Sequence, residues 1–98
     1  MPTGQRTRDA VTVALDMGDV QRTLLRCMDD GQTRTTRDAA VHSGLSIEQA
    51  GRAMSALCGH RYVEPVAPRR WVITEDGRVA IEILRAWNFL ALQRRRRR

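Results

Sequence analysis

The chain has 98 residues, of which 42% are hydrophobic and four are aromatic (two Trp, one Tyr and one Phe). This composition suits one small domain with a mainly aliphatic core. No apolar run approaches the roughly 20 residues that span a bilayer, and the N-terminal residues lack the apolar segment of a signal peptide. We therefore expect a cytoplasmic protein with no membrane contact.

The basic charge is concentrated in two parts of the chain. All 17 basic residues are arginines, the formal net charge is +6, and Arg94–Arg98 supply five of the positive charges. Between Arg34 and Arg70 there are six arginines and three acidic residues, whereas the flanking segments are slightly acidic. A basic segment of this kind is the electrostatic footprint of a phosphate contact.

The N-terminal third of the chain predicts two helices. Pro2, Gly4 and their polar neighbours offer no packing face, so residues 1–8 are expected to form a flexible arm. A first helix is predicted from Asp9 to Met17. A second, which Asp19 can cap, is predicted to run to about Asp30 with an apolar stripe at Val20, Leu24, Cys27 and Met28.

Residues 35–63 contain the pattern of a helix-turn-helix. Thr35 is predicted to cap a short helix whose first turn carries Asp38. Gly44 supplies the positive φ of a tight turn. Ser46 then caps a second helix, with Gln49 at the reciprocal position of a capping box.

The second helix of this pair is predicted to have one buried and one exposed face. The inward stripe at helical spacing is Ile47, Ala50, Met54 and Leu57. The residues left facing outward, and so positioned to meet a groove of DNA, are Glu48, Gln49, Gly51, Arg52 and Ser55.

The segment 63–73 predicts a β-hairpin. Tyr62, Val63 and Val66 alternate with polar residues, Pro65 indicates an edge strand, and Pro68 marks a turn. The returning strand is predicted at residues 71–73. The hairpin tip then holds Arg69 and Arg70 where they can reach a phosphate or the minor groove. The alternative is a solvated tip without a partner.

The last helix is predicted from Thr74 to about Gln93, with a wide apolar stripe that one small domain cannot readily cover. Its members are Val79, Ala80, Ile83, Leu84, Trp87, Leu90 and Ala91, while Ile81 and Phe89 lie on other flanks. We therefore expect a homodimer in which Ile83, Trp87 and Leu90 form the contact. Alternatively, the N-terminal helix covers this face within one chain. The polyarginine tail, residues 94–98, is expected to bind nucleic acid without sequence preference or to be simply solvated.

Residues typical of catalysis or metal binding are sparse. Cys27 and Cys58 fall within apolar patterns and are expected to be buried, reduced thiols. Cys27, His42, Cys58 and His60 have no spacing typical of a zinc site. No nucleophile motif, phosphate-binding glycine loop or carboxylate pair is present. We expect no metal, no cofactor and no enzymatic activity.

Three segments resemble the winged helix-turn-helix superfamily, most closely its MarR-like members. They are TTRDAAVHSGLS, EQAGRAMSAL and RYVEPVAPRRWVITEDGR, which carry a capped short helix, a Gly-Leu-Ser turn, a reading helix, Arg-Arg in the wing and a closing Ile-Thr-Glu-Asp-Gly-Arg. The resemblance implies a mainly α fold with a small β-hairpin, in which residues 9–93 form one winged helix-turn-helix domain.

The resemblance and the exposed residues together predict a sequence-specific, DNA-binding transcriptional regulator, most simply a repressor associated with the nucleoid. Helix 46–59 would read the major groove of double-stranded DNA and wing 63–73 would contact the backbone. The predicted DNA-binding residues are Arg34, Thr35, Thr36, Arg37, Ser46, Glu48, Gln49, Gly51, Arg52, Ser55, Arg69 and Arg70. The alternative is a small winged-helix module with a protein partner, such as a phage-type inhibitor of a nucleic-acid-handling complex.

Overall fold

In a computed structural model, residues 3–96 are described, with side chains from residue 9 onward. The helices are α1 (Thr3–Asp16), α2 (Asp19–Cys27), α3 (Thr36–Ser43), α4 (Ile47–Gly59) and α5 (Glu75–Arg96), and a short 3₁₀ turn, Met28–Asp30, follows α2. The strands are β1 (Arg34–Thr35), β2 (Val63–Ala67) and β3 (Arg70–Ile73). The fold is mainly α with a small sheet, as predicted for a winged helix-turn-helix.

Helix α1 begins earlier than the sequence predicted. Its first residue is Thr3, so most of the predicted flexible arm, residues 1–8, has a helical backbone; Met1 and Pro2 lie outside the described residues. Once a helix has nucleated, each added residue gains a hydrogen bond at low cost. One glycine, Gly4, costs about 1 kcal/mol relative to alanine, which is too little to stop the helix.

The core lies where α2, α4 and α5 meet. Its largest fully buried side chains are Leu24, Leu25, Met28, Met54, Leu57, Ile81 and Val63. Two of the predicted positions are wrong. Ile47 was predicted to face inward but is 54% exposed, because it is the first residue of α4 and precedes the buried turn. Ile81 was predicted on a flank but is buried, because the face that α5 turns to the core centres on Ala80, Ile81 and Leu84.

A third strand, which the sequence did not predict, joins the hairpin. The sheet order is β1-β3-β2, and all pairings are antiparallel. Strand β1 pairs Arg34 with Trp71 and Thr35 with Arg70. Two residues are too few for a period-two pattern to appear in the sequence. A β-bulge between Pro65 and Ala67 interrupts the β2–β3 register, as expected for a proline at a sheet edge.

Helix α5 divides into a covered and an uncovered half. Helix α1 packs against α5, and Ile83 is partly buried against the core. Beyond it, Trp87, Phe89, Leu90 and Leu92 are between 52% and 60% exposed. The helix continues through Arg94–Arg96, so this part of the predicted tail is helical. Within residues 3–96, no helix has both the length and the apolar content that a membrane crossing requires.

Candidate nucleic-acid interface

The turn between α3 and α4 has the predicted geometry. The Asp38 backbone N–H donates to Thr35 Oγ1 at 3.0 Å, which caps α3. Gly44 ends that helix with φ +74°, a conformation that side chains with a Cβ rarely adopt. The Leu45 N–H then donates to the Ala40 carbonyl at 3.0 Å. Two helices joined by such a tight turn form the predicted helix-turn-helix.

The start of α4 is fixed by the predicted capping box. The Gln49 N–H donates to Ser46 Oγ at 3.1 Å, and the Ser46 N–H donates to Gln49 Oε1 at 3.0 Å. Both side chains are exposed, yet the amide oxygen of Gln49 is already occupied. Its amide NH₂ is the part that remains available to a base edge.

One side of α4 is buried and the opposite side is polar and open. Ala50, Ala53, Met54 and Leu57 anchor the helix in the core. Glu48, Arg52 and Ser55 are exposed, and Gly51 is half-exposed. Because Glu48, Arg52 and Ser55 recur at intervals of three and four residues, they share one face. An arginine fork and short hydrogen-bonding side chains on one helix face match the base edges of the major groove.

Arg34 and Thr36, both predicted to contact the DNA backbone, have partners within the chain. The Arg34 guanidinium forms an ion pair with Asp30, and only 12% of its side chain is exposed. Trp71 Nε1 donates to Thr36 Oγ1 at 3.3 Å. The first contact joins β1 to the 3₁₀ turn, and the second joins the first residue of α3 to β3 of the wing. Arg37, by contrast, is exposed.

The surroundings of Asp30, including its ion pair with Arg34, lower the pKa of its carboxyl. The pKa of the Asp30 carboxyl lies below its ordinary value, first because it accepts a hydrogen bond from the Gln32 backbone N–H and then because of Arg34. Both interactions favour the ionised carboxylate. The pair therefore holds β1 beside the 3₁₀ turn while the aspartate is charged.

The wing tip projects two arginines. Pro68 and Arg69 connect paired residues Ala67 and Arg70, and Arg69 has φ +65°. Proline followed by a residue of positive φ is the pattern of a type II turn. The second of the two central residues, here Arg69, is normally a glycine in such a turn. Arg69 and Arg70 are both exposed.

A compact junction joins the wing to α4 and α5. Thr74 Oγ1 donates to the Arg61 carbonyl at 2.5 Å and accepts from the Gly77 N–H at 3.1 Å. The Thr74 N–H donates to the Tyr62 carbonyl at 3.0 Å. A Cβ on Gly77 would lie 2.2 Å from the Tyr62 oxygen. Only glycine fits here, so the closing Thr-x-x-Gly pattern fixes the wing relative to α4.

The two thiols are half-buried rather than buried as predicted. The Cys27 sulfur lies 3.8 Å from the Ala39 carbonyl oxygen. Burial raises the pKa of the Cys27 thiol, and the positive charge of Arg34 offsets this only in part. A raised pKa disfavours the reactive thiolate.

Sequence reasoning missed two positioning contacts. Asp30 stands four residues before Arg34, a spacing that indicates an ion pair only on a helix; here the pair crosses a loop. Trp71 looked like an ordinary strand residue, because its partner Thr36 is 35 residues away. Neither contact has a local pattern that could reveal it.

The sequence matches no protein-family model and no curated protein, but the fold is similar to that of solved regulators. BpsR of Bordetella bronchiseptica, whose DNA binding is regulated by 6-hydroxynicotinic acid, gives a TM-score of 0.69 at 14% identity over 94% of this chain and 77% of BpsR. A MarR family protein of Mycobacterium tuberculosis gives 0.66 at 18% identity, over 93% and 74%. MepR, a transcription regulator of the Staphylococcus aureus multidrug efflux pump MepA, gives 0.58 at 17% identity, over 91% and 78%.

These similarities establish the fold. The chain has the winged helix-turn-helix fold of MarR-family regulators, as the sequence predicted. With identities below one fifth, these similarities show the fold alone.

Proposed function

We propose that the protein is a sequence-specific DNA-binding transcription regulator, acting as a repressor. The observation that carries the proposal is the open polar face of α4 (Glu48, Arg52 and Ser55), opposite a fully buried face. A helix held in this way, with its capped N-terminus exposed, can enter the major groove without loss of core packing.

Each exposed residue has a proposed role in this complex. Arg52 makes the bidentate contact to guanine, with Ser55 and the Gln49 amide beside it. Glu48 accepts from cytosine. Arg37, Arg69 and Arg70 bind phosphates on either side of the groove and fix the register of the protein. Ser46 and Thr35 cap α4 and α3, and the N-terminal turns of these helices contact the DNA backbone.

Arg34 and Thr36 have a different role in the proposal. Because Arg34 Nη2 pairs with Asp30 and the Thr36 hydroxyl accepts from Trp71, they position α3 and the wing instead of contacting phosphate directly. Gly51 has no side chain, so no group projects toward the base pairs from the middle of the reading face.

The protein acts as a homodimer in this proposal. Trp87 and Leu90, at 52% and 55% exposure, line one side of the second half of α5. Apolar patches of this kind mark interaction surfaces. A two-fold dimer presents its reading helices to two half-sites one DNA turn apart. Ile83 contributes from the edge of the patch, since it is already partly buried in its own chain. The protein acts in the cytoplasm, at the nucleoid.

Selection of bound sites from random duplex DNA tests the proposal. The full chain and a variant lacking residues 94–98 are used side by side, because the tail alone binds any nucleic acid. Enrichment of one motif by both proteins supports the regulator. Enrichment of no motif would overturn it and favour the small winged-helix module with a protein partner, and binding that the tail deletion abolishes would be the non-specific binding of the tail.

A further inference from the structure

Ile47 is the one large apolar side chain of α4 that the described part of the chain leaves exposed. It is the first residue of α4, immediately after the capping serine, and it is 54% exposed. The rest of that turn is polar: Ser46, Glu48 and Gln49 surround it. About half of this isoleucine side chain is therefore open to a partner.

Gly51 lies one helical turn after Ile47, on the same line of the helix surface. It has no positive φ, and a Cβ added there would meet no atom within 4 Å. Neither backbone conformation nor packing therefore requires glycine, which is among the least favourable residues inside a helix. Ile47 is thus an apolar side chain next to a shallow recess at Gly51. Both lie along the border of the face that carries Arg52.

The major groove contains one apolar group that such a surface fits. The C5-methyl of thymine projects into it, and apolar side chains recognise it by contact. The N-terminal residues of a recognition helix are those that reach base edges. The net charge of the helix-turn-helix and wing also favours DNA as the occupant, because the exposed arginines (Arg37, Arg52, Arg61, Arg69 and Arg70) outnumber the exposed acidic residues (Asp38, Glu48 and Glu64).

We propose that Ile47 is a specificity-determining residue that contacts the C5-methyl of a thymine in the recognised site. The absent side chain at Gly51 lets that base pair approach α4 closely. This inference rests on the proposed function and names part of the sequence that the reading helix prefers. Arg52 selects guanine on one side of the face, and Ile47 selects thymine on its border.

Deoxyuridine scanning of the selected site tests the contact. Each thymine is replaced in turn by deoxyuridine, which removes the methyl group and changes no hydrogen-bonding group. At one or two positions per half-site, the wild-type protein should lose about fourfold in affinity, the value of burying one methylene-sized group. Ile47→Ala should show a similar loss on the thymine site and no further loss at those positions on the deoxyuridine site.

Two further variants separate this contact from general effects. Val41→Ala is the matched control, because Val41 is also a branched apolar residue and is 79% exposed, but lies on α3; it should keep the full deoxyuridine penalty. Gly51→Ala should bind the selected site about three- to tenfold more weakly although it favours the helix. Thermal unfolding checks that each variant is folded.

The possible results separate a failure of the thymine contact from a failure of the proposed DNA-binding function. If a motif is selected but no deoxyuridine position affects the wild type, the thymine contact is wrong. An unchanged penalty in Ile47→Ala overturns it equally. If no motif is selected, the proposed function fails and this inference fails with it.

Discussion

Helices α4 and α5 differ in how much of their apolar surface is exposed. Helix α4 buries Ala50, Ala53, Met54 and Leu57 and exposes a mostly polar face. Helix α5 buries Gly77, Ala80, Ile81 and Leu84 in its first half, whereas its second half exposes Trp87, Phe89, Leu90 and Leu92. Apart from Ile47, helix α4 keeps its large apolar side chains within the core. Helix α5 has apolar surface that the described residues do not cover.

The two helices therefore offer different chemistry to a partner. A helix whose apolar face is satisfied internally offers hydrogen bonds and charge, which suit the edges of base pairs. A helix with leftover apolar surface offers hydrophobic burial, which suits a protein surface. In the proposed complex, DNA binds α4 and a second copy of the chain binds the second half of α5.

The largest expected effect tests the junction that both helices share. Gly77→Ala places a Cβ 2.2 Å from the Tyr62 oxygen, so backbone must move and the free energy of unfolding should fall by about 3 kcal/mol. Gly51→Ala is the matched control, because open space surrounds it; the free energy of unfolding should rise by about 0.5–1 kcal/mol. Urea unfolding of both variants measures this. Equal effects would show that the junction at Gly77 is not tight.

The second prediction concerns the uncovered half of α5. Replacing Trp87 and Leu90 together by alanine should weaken self-association by about 2 kcal/mol or more, since aromatic residues dominate such contacts. Stability of the monomer should change little, because both side chains are already exposed.

Sedimentation equilibrium over a range of concentrations measures the association. Asn88→Ala serves as the control, because Asn88 is an exposed polar residue of the same helix. An unchanged monomer–dimer equilibrium in the double variant would remove α5 from the interface.

The third prediction concerns the wing. Replacing Arg69 and Arg70 by alanine should weaken binding to all DNA sequences alike and lower the slope of log affinity against log salt by about 1 for each lost phosphate contact. The selected motif should stay the same. A change of motif with no change in slope would mean that the wing reads bases and does not bind phosphate.

The smallest effect concerns the charge of Asp30, which accepts a hydrogen bond from the Gln32 N–H and pairs with Arg34. Because the folded-state pKa of Asp30 lies below its ordinary value of 3.8, its stabilising contribution is present above that value and is lost as pH falls through the folded pKa. Asp30→Asn should therefore be slightly less stable near neutral pH and equal to the wild type in strong acid. Urea unfolding at both pH values tests this. A difference that persists in acid would assign the effect to something other than the charge.

Local patterns in the sequence predicted the fold well. The Thr35 cap, the Gly44 turn, the Ser46–Gln49 capping box and the strand–turn–strand of the wing are all encoded within a few residues, and all are confirmed. The start of α1 and the two-residue strand β1 were not predicted. The first depends on continued helix propagation, and the second on pairing with a strand 35 residues away.

The candidate site was predicted less completely, because exposure depends on tertiary packing. The open face of α4 followed from helical periodicity. The engagement of Arg34 by Asp30 and of Thr36 by Trp71 did not, since both partners come from other elements. Ile47 was placed on the wrong side because an apolar residue at the first position of a helix can continue either face.

The central claim is that α4 reads base edges, and Arg52→Ala tests it most directly. The measurement is the ratio of affinities for the selected site and for random duplex DNA, compared between this variant and the wild type at one salt concentration. We expect the specific affinity to fall by about 1–3 kcal/mol and the preference at one guanine to be relaxed. An equal loss on both DNAs would contradict the account.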